Sequence, residues 1–170
     1  DSSIAGIGIV VATPINWHVF TRIFLWQFGS FAISLVTSFL IYKFILGLFS
    51  RGKFIYIERR IYILVILSAA FLAYSLGANN IGNAMGLVVG NNLMRPALAG
   101  FMGGIALAFG ASTLGIKVIK TIGTRITALD ATMAFSAQFS SAVIVYILAL
   151  VGIPTSITFA IIGGIIGVGL

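Results

Sequence analysis

Three asparagines and three glycines fall within twelve residues, SLGANNIGNAMG at 75–86, inside a stretch of 34 residues, 61–94, that carries no charged side chain. An asparagine carbonyl can ligate a hard cation and its NH₂ can donate to an anion, so a cluster of amides is a neutral site for an ion of either sign. On an α-helix Asn79, Asn80 and Asn83 fall within one arc of about 100°. In hydrocarbon each such amide costs several kcal/mol unless partnered, so this face must meet other helices, water or a ligand. Gly77, Gly82 and Gly86 would let the helix unwind there and offer free carbonyls to an ion. The same residues also suit plain helix packing.

A second group is IPTSIT at 153–158. Pro154 fits the first turn of a helix, and Thr155, Ser156 and Thr158 can cap its free N–H groups or present hydroxyls to a ligand. With no cation nearby in sequence, oriented amides and a helix dipole are the means of holding a negative group here. AFSAQFSSA at 134–142 puts Ser136 and Ser140 on one helix face and turns Gln138 and Ser141 to the other, so both faces need protein neighbours. KTIGTRIT at 120–127 adds Thr121, Thr124 and Thr127. His18 beside Trp17 reads as an interfacial anchor, and Asp130 as the cap of the helix that follows. No acid and base pair and no Ser/His/Asp set can be assembled, and the chain has no cysteine, so the expectation is a protein that is not an enzyme.

These groups need elements that hold them away from water. The chain is 60% hydrophobic and 8% charged, which predicts an all-α, multi-pass protein of the cell membrane with the lipid bilayer as its main surroundings. Residues 23–42 are uncharged, and twenty residues at about 1.5 Å each match a hydrocarbon core of roughly 30 Å. Residues 43–60 then carry five cations and one anion, which places that connection in the cytoplasm. A second span starts near Ile61 and reaches the far side close to GANNIGNA; residues 96–116 form a third. Residues 117–130, with three cations and one anion, return to the cytoplasmic side, and 131–170 hold no charge. GIPTSIT divides this last segment, giving a re-entrant or broken helical hairpin after about three full spans. The net charge of +7 sits between apolar runs and sets orientation; nucleic acid is not an expected partner. Asp1 at the start and the apolar Gly-Val-Gly-Leu at the end read as the edges of a fragment.

GANNIGNA, VIKTIGTRITALDATMAFSAQFSSA and GIPTSITFAIIGGIIGVGL, in this order, resemble the inorganic phosphate transporter family over residues 61–170, and INW at 15–17 is similar to that family's lead into the first span here. The family carries GANDxxNA, a TxGxxIT loop, an acidic or amide position in the next helix and G-[LI]-P-x-S-[ST]-T-[HQ]-A. The resemblance implies one half of a transporter built from two repeats of inverted topology. Residues 1–21 would be the tail of the preceding repeat and an interfacial lead-in, 22–60 a span and basic connection, and 61–170 the second repeat. If no second such motif precedes Asp1, two copies of the chain would have to pair as a homodimer to supply the missing first repeat.

The function so implied is secondary transport of inorganic phosphate by Na⁺ or H⁺ symport, with no cofactor beyond Na⁺ as the coupling ion. Phosphate would touch Asn80, Asn83, Ser156 and Thr158; Na⁺ would take oxygens from Asn79, Asn80, Thr121 and Gln138. Asn80 stands where the family has aspartate, Gln138 where it often has glutamate, and Phe159 where it has His or Gln. A neutral Asn80 carries no proton and adds no long-range attraction for a cation. Sulfate or another tetrahedral oxyanion, or a membrane assembly subunit that keeps the fold without transport, are the alternatives these departures leave open.

Overall fold

The computed structural model describes residues 17–49, 54–123 and 129–170. The lead-in before Trp17, the centre of the basic connection, and Thr124 and Thr127 lie outside the described residues. Five helices follow in order: α1 (Trp17–Phe49), α2 (Phe54–Gly90), α3 (Pro96–Gly123), α4 (Ala131–Leu150) and α5 (Ile157–Gly169). There is no strand among the described residues. The first four helices are long and apolar enough to cross a membrane, and the chain is a multi-pass protein of the cell membrane. The apolar α5 runs over 13 residues, about 20 Å, to Gly169.

Large apolar side chains face outward, as Phe24, Leu25, Phe28, Leu40 and Phe44 do on α1, whereas the interior is small and polar. Seven of the nine largest fully buried side chains are serines, which marks packing by close approach of backbones, since lipid is as apolar as any leucine core. Ser30, Ser34 and Ser38 recur every four residues and turn one stripe of α1 inward. Gly163 and Gly167 of α5 lie directly on that stripe: a Cβ at Gly163 would collide with the Phe31 carbonyl, and one at Gly167 with the Leu35 carbonyl and Ser38 Oγ. α4 closes the seam, where Ser34 Oγ lies 3.1 Å from Ser141 Oγ and 3.4 Å from Ser140 Oγ. Ser141 also donates to the Ala160 carbonyl at 3.0 Å. It therefore shares the α1 side with Ser140, while Gln138 alone turns to α2.

On the other flank of α4 lies α2, tied by Ser68 Oγ donating to Gln138 Oε1 at 3.0 Å and lined by Phe71, Phe139 and Tyr146. α3 leans on α2 through Gly103, which rests on Ile81 and Met85. Unlike the expected unwinding, α2 runs without a break through Gly77, Gly82 and Gly86. Each glycine weakens a helix by about 1 kcal/mol, but an opened turn at membrane depth would strand N–H and C=O groups at several kcal/mol apiece, so the continuous helix wins.

The ends of α4 set the site. Asp130 caps its start, with Oδ1 accepting from the Met133 N–H at 2.7 Å, as the sequence predicts. Its far end closes as a Schellman motif: Ile153 N–H donates to the Leu148 carbonyl at 2.8 Å and Gly152 N–H to that of Ala149 at 3.0 Å, with Gly152 at φ +72°. Ile153 packs back on Leu148 and Ile144, the apolar contact that accompanies this cap. The helix after it starts at Ile157 with Ser156 as N-cap, three residues beyond the start expected at Pro154, and the Ser156 hydroxyl makes no cap bond.

Candidate functional site

The asparagine row of α2 meets the turn between α4 and α5. Asn79, 5% exposed, is paired with the backbone of Thr155: its Nδ2 donates to the Thr155 carbonyl at 2.8 Å, and its Oδ1 accepts from the Thr155 N–H at 3.3 Å. The Thr155 hydroxyl donates to Ser30 Oγ on α1 at 3.1 Å, and Ser30 donates onward to the Gln27 carbonyl at 2.8 Å. Two helices, α1 and α2, thus converge on one residue of the six-residue connection between α4 and α5.

Beside this junction is a cavity of about 220 Å³. Ala78, Asn79, Gly82 and Asn83 form its α2 wall; Ala149, Gly152, Ile153 and Pro154 form the opposite one. At about 30 Å³ per water it has room for several, or for a small ion with part of its hydration shell. No charged side chain lines it. Its electrostatics come from dipoles: the carbonyl end of α4 is negative, the nearby amide end of α5 is positive, and the asparagines offer both signs.

The residues singled out in the sequence divide as follows. Asn79 and Asn80 are adjacent, with Asn79 Nδ2 donating to Asn80 Oδ1 at 3.4 Å; Asn80 is exposed, and Asn83 is exposed on the cavity wall. Ser156 is half-buried and Thr158 exposed, both at the start of α5 just past the cavity. Gln138 is elsewhere: its partner Ser68 precedes Asn79 by 11 residues, about 16 Å along α2. The side chain of Thr121 lies outside the described residues. Of the proposed phosphate residues Asn83 alone lines the cavity, with Asn80 beside Asn79 and with Ser156 and Thr158 following Thr155 in the chain; among the proposed cation residues Asn79 and Asn80 are together. Sequence reasoning missed Ser30 and the backbone of Thr155. The four-residue repeat of Ser30, Ser34 and Ser38 was the readable signal, since hydroxyls at that spacing in an apolar span mark a buried face.

Asn80, Asn83 and Thr158 are exposed in this chain although they sit on apolar helices. Amides facing hydrocarbon are costly, so this side needs a polar cover or water. A multi-pass helical membrane protein with a neutral polar cleft between a long helix and a hairpin turn is the class the geometry defines.

Residues 50–170 match the model of a family described as the phosphate transporter family, and the chain belongs to that family. Among its relatives are three proteins that each carry the name "Putative phosphate permease". The one from Pyrococcus furiosus is 35% identical over 62% of this chain and 28% of its own length. That from Thermococcus kodakarensis is 33% identical over 71% and 32%, and that from Haemophilus influenzae 31% over 82% and 37%. The chain thus spans about a third of the relatives it matches. No solved structure matches it.

Proposed function

We propose that the protein to which this chain belongs is a secondary active transporter of inorganic phosphate, driven by cation symport, and that the chain supplies one half of its site. The observation that carries this reading is the meeting of the asparagine row with the 154–156 turn, in a chain of the phosphate transporter family. Phosphate would enter between Asn80 and Asn83 on one side and Ser156 and Thr158 on the other, taking N–H and O–H donors from side chains and from the unpaired first amides of α5. Dipoles without a fixed cation replace water around the ion without trapping it, which transport requires and tight storage does not.

For the coupling ion, Asn80 offers an amide oxygen beside Asn79, whose own oxygen is taken by the Thr155 N–H, and the end of α4 supplies negative dipoles nearby. Na⁺ fits such neutral oxygens; a proton has no carboxylate there to ride on. The first repeat, or a second copy of the chain, would cover the open asparagines, and access would alternate as one half rocks against the other. The neutral Asn80 and Gln138 favour a second reading, in which sulfate is carried or transport is lost. Uptake of labelled phosphate and sulfate by the full-length protein in proteoliposomes, with and without a Na⁺ gradient, decides among these. Saturable, Na⁺-driven phosphate uptake is the expected result; uptake of neither anion would overturn the proposal.

A further inference from the structure

Thr155 occupies a place where the chain cannot satisfy itself. The Schellman bonds end at Ile153 and Pro154 has no N–H, so the Thr155 amide is the first backbone donor beyond the cap of α4. It is buried, and a buried peptide group without a partner is costly. Asn79 meets both its N–H and its carbonyl, as a neighbouring strand would, and Ser30 takes its hydroxyl. Asn79 and Thr155 are 5% exposed and Ser30 is fully buried, and the polar atoms of the three side chains are bonded within the protein.

We propose that Asn79, Thr155 and Ser30 form a three-residue clamp of positioning residues, which locks the 152–156 turn between α1 and α2 and thereby sets the spacing between the Asn80 and Asn83 amides and the first amides of α5. This rests on the phosphate-site reading above, and it assigns Asn79 to holding the turn, leaving Asn80 and Asn83 to meet ligands. It also draws α1 into the site through Ser30. All polar groups of the clamp are bonded within the protein, which distinguishes it from the exposed Asn83 about one turn away.

Two readouts on the full-length protein in nanodiscs and proteoliposomes test it. In hydrogen exchange, Asn79→Leu should speed exchange at the Thr155 amide by about tenfold or more, the scale of losing one buried hydrogen bond. Thr155→Val and Ser30→Ala should each loosen residues 151–159 by about three- to tenfold, their double variant no more than either alone, and Thr155→Ser should behave as wild type. In uptake of inorganic phosphate, Thr155→Val and Ser30→Ala should raise KM by about threefold or more with Vmax within about twofold, and Thr155→Ser should restore KM. If Asn79→Leu does not reach the membrane, Asn79→Asp, which keeps the acceptor and loses the donor, replaces it. Unchanged exchange in every variant, additive effects of Ser30→Ala and Thr155→Val, or a loosened turn with wild-type KM would each overturn the clamp. Absence of any uptake by the wild type would instead sink the transport reading, and exchange would still judge the clamp.

Discussion

The seam between α1, α4 and α5 and the cleft between α2 and the hairpin turn are built from the same kinds of group, yet they do opposite work. In the seam, Ser34, Ser140 and Ser141 bond to one another and to the Ala160 carbonyl, all buried, with Gly163 and Gly167 allowing backbones to touch. At the cleft, Asn83 is exposed on the cavity wall, Asn80 is exposed with a single long bond to Asn79, and the Ser156 hydroxyl makes no cap bond. A polar group at membrane depth acts as glue when its partners lie within the fold and is free to act as a ligand donor when they do not. Residue type cannot tell these apart; partner count and burial can.

The sharpest way to break the comparison is to force the seam open. Gly167→Leu would drive a side chain into the Leu35 carbonyl and Ser38, at a cost of about 3 kcal/mol or more, and should abolish recovery of monodisperse protein. The cleft should respond otherwise. Asn83→Ala is expected to leave thermal stability within about 0.5 kcal/mol while raising the phosphate KM about tenfold, because it removes a donor to a charged ligand and no internal bond. Replacing Asn80 by aspartate tests the cation side: a gained carboxylate should lower the Na⁺ concentration for half-maximal uptake by about threefold or more, and an unchanged Na⁺ dependence would put the ion elsewhere. At the small end, Ser34→Ala should cost only about 0.6 kcal/mol in unfolding assays and leave KM alone, as interhelical hydroxyl bonds in membranes are weak. Phe44→Leu on the exposed face of α1 should change neither quantity.

Much of the fold was legible because its signals are local. Windows free of charge marked the spans, Asp130 announced the start of α4, and the hydroxyl-rich turn announced the hairpin. The nearness of the asparagines and that turn was legible only through motifs shared with the family. Three things were not readable. The glycines of α2 suggested a break, but the price of unpaired backbone in lipid outweighs glycine's weak helix propensity. Pro154 suggested a helix start, but the Schellman cap and the pairing of Thr155 with Asn79 hold residues 152–155 out of the helix. Gln138 was singled out by the resemblance, but its partner Ser68 depends on the register between α4 and α2, which sits in the packing of Phe71, Phe139 and Tyr146. Contacts across helices are long-range facts, and one sequence read alone carries little of them.

The most direct test of the central claim is an experimental map of the full-length protein at saturating inorganic phosphate. The account predicts density for a tetrahedral anion in the cleft, bounded by Asn80 and Asn83 of α2 and by Ser156 and Thr158 at the start of α5, with Asn79 still paired to Thr155. A phosphate held against other residues while this cleft stays filled only by water, or by a packed helix, would contradict it.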